Sequence, residues 1–164
     1  MSRYRPPPLK SSPYITRAGY DRLRAEYEQL WRRRRPEVVK ALAAAAAEGD
    51  RSENAEYIYR KKELREIDRR VGYLQKRLAE FKLVERPPAD RGRVFFGAWV
   101  EVDDGRIRRV HHIVGADEIG FGDDAVSVDS PLARALIKHA AGERVRVELP
   151  TQALELEILR VWYD

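Results

Sequence analysis

The sequence predicts an α+β protein in two parts: an antiparallel α-helical coiled-coil hairpin, then a small α+β domain. Three observations predict it. In two stretches before residue 86, apolar residues recur at alternating spacings of three and four, the mark of a heptad seam rather than a strand. After Pro87-Pro88 the pattern becomes short runs of aromatic and β-branched residues between turn signals. The charge changes at the same place: residues 1–86 hold 22 Lys/Arg against 13 Asp/Glu, a net of +9, and residues 87–164 hold 10 against 14, a net of −4. A basic part joined to an acidic part suggests different partners for each. The basic part suits nucleic acid or an acidic protein surface.

Composition narrows the class. Of the 164 residues 43% are hydrophobic, enough for a core, and 36% are charged. That charge exceeds the roughly 25% of an average globular domain and suits long solvated helices. Cysteine is absent, which excludes disulfides, thiolate metal sites and cysteine nucleophiles. No apolar run approaches the roughly 20 residues of a membrane span. Met1 to Pro13 lacks the apolar stretch of a secretory signal. A cytoplasmic monomer with no membrane partner is expected.

Residues 1–13, with four prolines and two adjacent serines, read as a disordered tail. The hairpin is expected over residues 14–86. Thr16 is a good N-cap, and Tyr20, Leu23, Tyr27 and Leu30 form the first seam. Pro36 kinks or stops this helix. A kink is favoured, because Ala41 to Ala47 resumes with high helix propensity. The helix ends near Glu48-Gly49, where glycine suits the left-handed C-terminal position. A second helix starts within Asp50 to Asn54 and runs to about Leu83. Its seam is Tyr57, Leu64, Ile67, Val71, Leu74, Leu78 and Phe81, broken by Arg60. Two helices of about 30 residues make a rod of about 45 Å, each helix burying the other.

Residues 87–90 read as a linker, and 91–164 as the second domain. Strands are expected over Val94 to Val102, Ile107 to Val114, Ala125 to Val128, Arg144 to Leu149 and Glu155 to Tyr163, in one antiparallel sheet. Asp103-Asp104-Gly105 is a turn, and a glycine-rich loop precedes Ala125. Ser130-Pro131 opens a short helix through about His139.

The chemistry-bearing residues gather at the hairpin tip, Gly49-Asp50-Arg51-Ser52-Glu53-Asn54-Ala55-Glu56-Tyr57. Asp50 and Glu53 lie three apart at a sharp turn, and two hard oxygen ligands on a protruding end can share Mg²⁺. They cannot fill its six positions, so a partner must supply the rest. The competing reading is a capping box, Asp50 at the N-cap and Glu53 three residues on. Ser52 is the other cap, and if it caps, Asp50 is free.

Arg32 to Arg35 and Arg60, Lys61, Lys62, Arg65, Arg69 and Arg70 are candidate cations. They form either a solvated face with partners such as Glu63 and Glu66, or a surface for phosphates. Lys61 stands about two turns above Glu53. His111-His112 invites a metal reading, but neighbours in a strand point to opposite faces and cannot chelate together. Trp99, Trp162 and Phe95-Phe96 read as core of the second domain.

The tip segment Gly49 to Tyr57 resembles that of Gre-type transcript cleavage factors. Lys61 to Arg70 is similar to the GreB branch, as are Val94-Phe95-Phe96-Gly97-Ala98-Trp99-Val100 and Asp129-Ser130-Pro131-Leu132-Ala133-Arg134-Ala135-Leu136. The resemblance covers roughly residues 14–164. It implies that the coiled coil enters the secondary channel of bacterial RNA polymerase and that an FKBP-like domain docks at the channel rim. Docking falls to Ser130, Pro131 and Arg134. It implies that Asp50 and Glu53 help hold a Mg²⁺ ion in the polymerase active site, where nascent RNA of a backtracked complex is hydrolysed. Lys61, Lys62, Arg60 and Arg65 would then meet the extruded RNA 3′ segment. The protein is expected to be an accessory factor without an active site of its own, and to bind Mg²⁺ only with polymerase. An FKBP-like fold implies no prolyl isomerase activity, because function lives in the site. Two other readings are a channel-binding regulator that does not promote cleavage and a basic coiled-coil adaptor.

Overall fold

The computed structural model describes residues 10–49 and 53–164. They form two compact units: Tyr20–Phe81, and the segment up to Gly19 together with Lys82–Asp164. No helix among the described residues is long and apolar enough to cross a membrane.

Helix α1 (Arg17–Gln29) is capped by Thr16, whose hydroxyl accepts from the Gly19 N–H at 3.0 Å. The chain stays helical through Pro36. Leu30–Arg34 widen into a π-turn in which the Arg35 N–H donates to the Leu30 carbonyl, and α2 (Arg35–Ala46) follows with Pro36 in its first turn. A proline has no N–H for the turn before it. A widened turn just upstream absorbs that mismatch without a break.

Helix α3 (Ala55–Glu80) lies against α2. Leu23, Val38 and Ala45 of the first arm and Ile67, Val71 and Leu74 of the second are buried. Tyr27, Leu30 and Leu64 pack around Val38, Ile67 and Val71. Cross-helix ion pairs flank the seam. Arg34 pairs with Glu63, Arg35 Nε meets Asp68 Oδ1 at 2.7 Å, and Arg70 meets both oxygens of Glu26 at 2.6 and 3.0 Å. Arg77 is buried with its guanidinium 5.0 Å from the centre of the Phe81 ring.

The helix expected to reach Leu83 ends earlier. Phe81 leaves it with extended backbone (φ −59°, ψ 139°), and β2 (Lys82–Val84) runs parallel to β1 (Tyr14–Thr16). Ile15, opposite Leu83, is fully buried. The hairpin expected over 14–86 is therefore trimmed at both ends. Strand pairing across some 68 residues overrides local helix preference, which no local pattern could register. Of the expected tail, residues 1–9 lie outside the described residues. Residues 10–13 form neither helix nor strand, and the Ser12 N–H donates to Asp129 Oδ2 at 2.8 Å.

The second unit is built on a five-stranded sheet in the order β5-β4-β3-β7-β6. The strands are β3 (Trp99–Asp103), β4 (Arg108–Val114), β5 (Ala125–Ser127), β6 (Arg144–Glu148) and β7 (Ala153–Trp162). β3 begins later than Val94 because Gly97, with φ of 87°, bends the chain ahead of it. The sheet is not wholly antiparallel: β4 and β5 pair in parallel, across a 3-10 turn (Ala116–Phe121) where a loop was expected. Helix α4 (Pro131–Leu136) is shorter than expected, ending where Ile137 turns extended and Lys138 takes φ of 74°. The core lies between α4 and one sheet face. Val94, Ala98, Val100, Val102, Ile113, Leu136 and Ile158 are among its buried members.

A buried carboxylate locks the start of α1 into this unit. Glu118 accepts from the Thr16 hydroxyl, from Thr16 N–H at 3.2 Å and from Gly115 N–H at 2.8 Å. Gly19 leaves room for it: a Cβ there would stand 2.0 Å from Glu118 Oε1.

Candidate functional site

At the hairpin tip α2 ends at Ala46 and Gly49 takes φ of 134°, a left-handed conformation that suits glycine. Asp50 and Ser52 lie outside the described residues. The chain reappears at Glu53, which is exposed. The cap of α3 is Asn54, extended at φ −83° and ψ 100°. Its Oδ1 accepts from Tyr57 N–H at 3.1 Å, and its Nδ2 donates to the Ala45 carbonyl at 2.8 Å. One side chain thus satisfies an orphan donor of α3 and an acceptor in the last turn of α2. It ties the two arms together at the tip.

This corrects the capping-box reading of Asp50 and Glu53. Asn54 occupies the cap, and Glu53 sits one residue before it, outside the helix and away from its orphan amides. Asn is as good a cap as Asp, and that was the available signal. Glu53 has no hydrogen-bond or ion-pair partner among the described residues. Its carboxylate, a hard oxygen donor, suits Mg²⁺ and leaves room for ligands from elsewhere. No group of three His, Asp or Glu side chains among the described residues is placed to hold a metal.

The candidate cations divide in two. Arg60 is engaged: its Nε meets Glu56 Oε1 at 2.8 Å and its Nη1 meets Glu63 Oε2 at 3.0 Å. Those two carboxylates hold its proton more firmly than in a free guanidinium. Glu63 also takes Arg34, so Arg34, Glu63, Arg60 and Glu56 form one chain of charges across the arms. Arg35 and Arg70 are likewise committed to Asp68 and Glu26. Arg32, Arg33, Lys62, Arg65 and Arg69 are exposed and form no ion pair among the described residues. Lys61 is exposed as well, its ammonium 5.9 Å from the Tyr57 ring centre.

In the sheet unit the Ser130 hydroxyl accepts from Ala133 N–H at 3.2 Å, capping α4, with Pro131 at its first turn. Pro131 and Arg134 are exposed, while Ala133 and Leu136 face the core. His111 and His112 stand opposite Val100 and Trp99, on opposite faces of β4. Burial lowers both below the usual histidine range. The aromatic residues expected in the core lie outside its buried cluster, which is aliphatic. His112, Trp99 and Trp162 instead stack across three strands, with ring centres 4.0 and 6.2 Å apart, and Arg160 closes the row 4.1 Å over Trp162. Phe96 packs against Tyr14, with ring centres 6.0 Å apart.

Two family models match the chain in succession. "Transcription elongation factor, N-terminal" covers residues 13–83 and "Transcription elongation factor, GreA/GreB, C-term" covers 88–163. The class is thus a two-part elongation factor with a helical hairpin and a sheet domain. The chain belongs to the GreA/GreB family of transcription elongation factors. It is 54% identical to transcription elongation factor GreB of Xanthomonas axonopodis pv. citri, over 99% of this chain and 98% of that one. It is 55% identical to GreB of Pseudomonas aeruginosa, over 92% and 90% of the two chains. The solved structure of GreA factor homolog 1 from Thermus thermophilus aligns with a TM-score of 0.42 at 24% identity, covering 90% of this chain and 97% of that one. These relatives make it an elongation factor of the Gre type, acting on RNA polymerase.

Proposed function

We propose that the chain stimulates Mg²⁺-dependent hydrolysis of nascent RNA in backtracked RNA polymerase, in the cytoplasm. The hairpin enters the secondary channel, and Asp50 and Glu53 lend carboxylates to a Mg²⁺ ion shared with the polymerase active site. The FKBP-like sheet unit docks at the channel rim through Ser130, Pro131 and Arg134. Lys61, Lys62 and Arg65 face the extruded RNA, and Arg60 serves the hairpin's own charge network. The observation that carries the reading is Glu53: an exposed carboxylate at the tip, freed from capping because Asn54 does that work.

When bound, the ion would activate water and stabilise the charge of the transition state. The chain's own part is to carry two oxygen ligands to a site that lacks them. Two carboxylates cannot complete a six-ligand shell alone, so the isolated protein with RNA and Mg²⁺ should hydrolyse nothing.

The test is RNA release from stalled, backtracked complexes. Asp50→Asn or Glu53→Gln should abolish stimulated release while polymerase binding and helix content stay intact. Both swaps keep shape and remove ligating charge. Undiminished cleavage by either variant would sink the metal role. Wild-type binding without any stimulated release would leave a regulator that occupies the channel.

A further inference from the structure

Helix α1 runs from Arg17 to Gln29, and its first turn, up to Gly19, belongs to the sheet unit while the rest belongs to the hairpin. That turn carries more than a helix start needs. Thr16 alone caps it, through the hydroxyl that accepts from the Gly19 N–H. Glu118, on the 3-10 turn 102 residues further along the chain, is an addition. Its carboxylate is buried, takes the Thr16 hydroxyl, the Thr16 N–H and the Gly115 N–H, and forms no ion pair among the described residues. A carboxylate is costly to bury unless donors meet its oxygens, and these three do.

Two glycines make room for it. Gly19 lies inside a helix, where glycine is a poor former. A Cβ at Gly19 would overlap Glu118 Oε1, and one at Gly115 would overlap the Tyr14 carbonyl oxygen and stand 3.0 Å from Glu118 Oε2. Gly115 has φ of −68°, which any residue adopts, so space is what it supplies. A buried carboxylate and a helical glycine both break local rules. Both fall on the turn through which α1 leaves the sheet unit, and such breaks gather where function constrains a structure. Length supplies the constraint here. From Arg17 to Ala46 the chain stays helical for about 30 residues, or about 45 Å. A tilt of about 5° at the first turn would carry the far end about 4 Å, and a misplacement of about 1 Å at reacting groups costs about a hundredfold in rate.

We propose that Glu118 is a positioning residue for transcript cleavage: by holding Thr16 it fixes the first turn of α1, and so the place to which the tip delivers its carboxylates. The proposal rests on the cleavage reading above.

The test uses the full-length protein, alone and with polymerase. Cysteine is absent, so Ala43→Cys and Thr151→Cys, exposed sites with one in each unit, take a pair of spin labels cleanly. Dipolar electron spin resonance then reads the spread of distances between them. Gly19→Ala favours the helix but displaces Glu118, and Thr16→Val removes the hydroxyl. Each should broaden the distribution. In backtracked complexes each should lower the saturating rate of RNA release about tenfold or more, while the half-saturating concentration moves by less than about twofold. Thr16→Ser keeps the hydroxyl and should match wild type in both. A contact that served stability alone would lower the melting temperature and leave the width and saturating rate of the folded protein unchanged. Wild-type width in Gly19→Ala and Thr16→Val, or a broadened variant that cleaves at the full rate, overturns the proposal. So does a loss confined to the half-saturating concentration, which would place Glu118 in docking. If wild type stimulates no release, the cleavage reading falls, and the width in Gly19→Ala still decides whether Glu118 holds the helix.

Discussion

In the sheet unit, residues from Val94 to Ile158 gather into one aliphatic cluster walled by a sheet face and α4. In the hairpin, Val38, Ile67 and Val71 form a thin buried group with half-buried Tyr27, Leu30 and Leu64 at its margins. A pair of helices buries each side chain from one direction only, so much of what joins the arms is charge at the surface: Arg34 with Glu63, Arg35 with Asp68, Arg70 with Glu26. Exposed pairs of this kind add little each and weaken with salt. The difference teaches where stability and function reside. The sheet unit has interior to spare, whereas the hairpin keeps half of each helix open to solvent.

The largest expected effect compares one substitution in both units. Leu136 in the sheet unit and Leu74 in the hairpin are each 0% exposed. Leu136→Ala leaves a cavity walled on several sides and should cost about 4 kcal/mol, against about 2–3 kcal/mol for Leu74→Ala, where the arms can close in. Denaturant unfolding of both variants measures this. Equal costs would mean that the seam is as rigid as the core.

A smaller effect is expected at the tip. Asn54→Ala removes one cap and one cross-arm bond and should destabilise the hairpin by about 1 kcal/mol. Amide exchange should speed up near Tyr57 and leave the sheet unit unchanged. An unaltered exchange rate would show that the tip is fastened by something other than Asn54.

The smallest effect is a pH dependence confined to one unit. Burial lowers His111, with Arg109 adding to it; burial also lowers His112, opposed by Asp164 and Glu118. The unfolded chain therefore takes up protons first. Stability is complete above the unfolded histidine value and declines as pH falls toward the folded ones. The sheet unit should melt lower at about pH 5.5 than at about pH 7.5, and His112→Gln should flatten that slope. The hairpin, without histidine between residues 20 and 81, should not follow through this group. A slope unchanged in His112→Gln would assign the dependence to other groups.

What was legible in the sequence was local. The heptad spacing of Ile67, Val71 and Leu74 located the seam, and the Ser130-Pro131 start located α4. Pairings between distant segments were not legible. Lys82–Val84 reads as the end of a helix until Tyr14–Thr16 lies beside it, and the parallel join of β4 to β5 has no signature in either strand. Glu118 looks like one more surface acid, yet it binds Thr16 from 102 residues away. At the tip, capping and metal ligation draw on the same residue types. Spacing alone could not assign Asn54 to the first and release Glu53 from it.

The pairing of β1 with β2 sets Thr16 directly against Val84. Everything between them departs from and returns to neighbouring points, like a page held by its margin. Such an insertion can be resized without rewriting its surroundings. Adding seven residues to each arm preserves the seam phase and advances the tip by about 10 Å along the helix axis. No residue of the sheet core needs to change. The length of the insertion can therefore change separately from the sheet unit, as a ruler whose length is chosen apart from the hand that holds it.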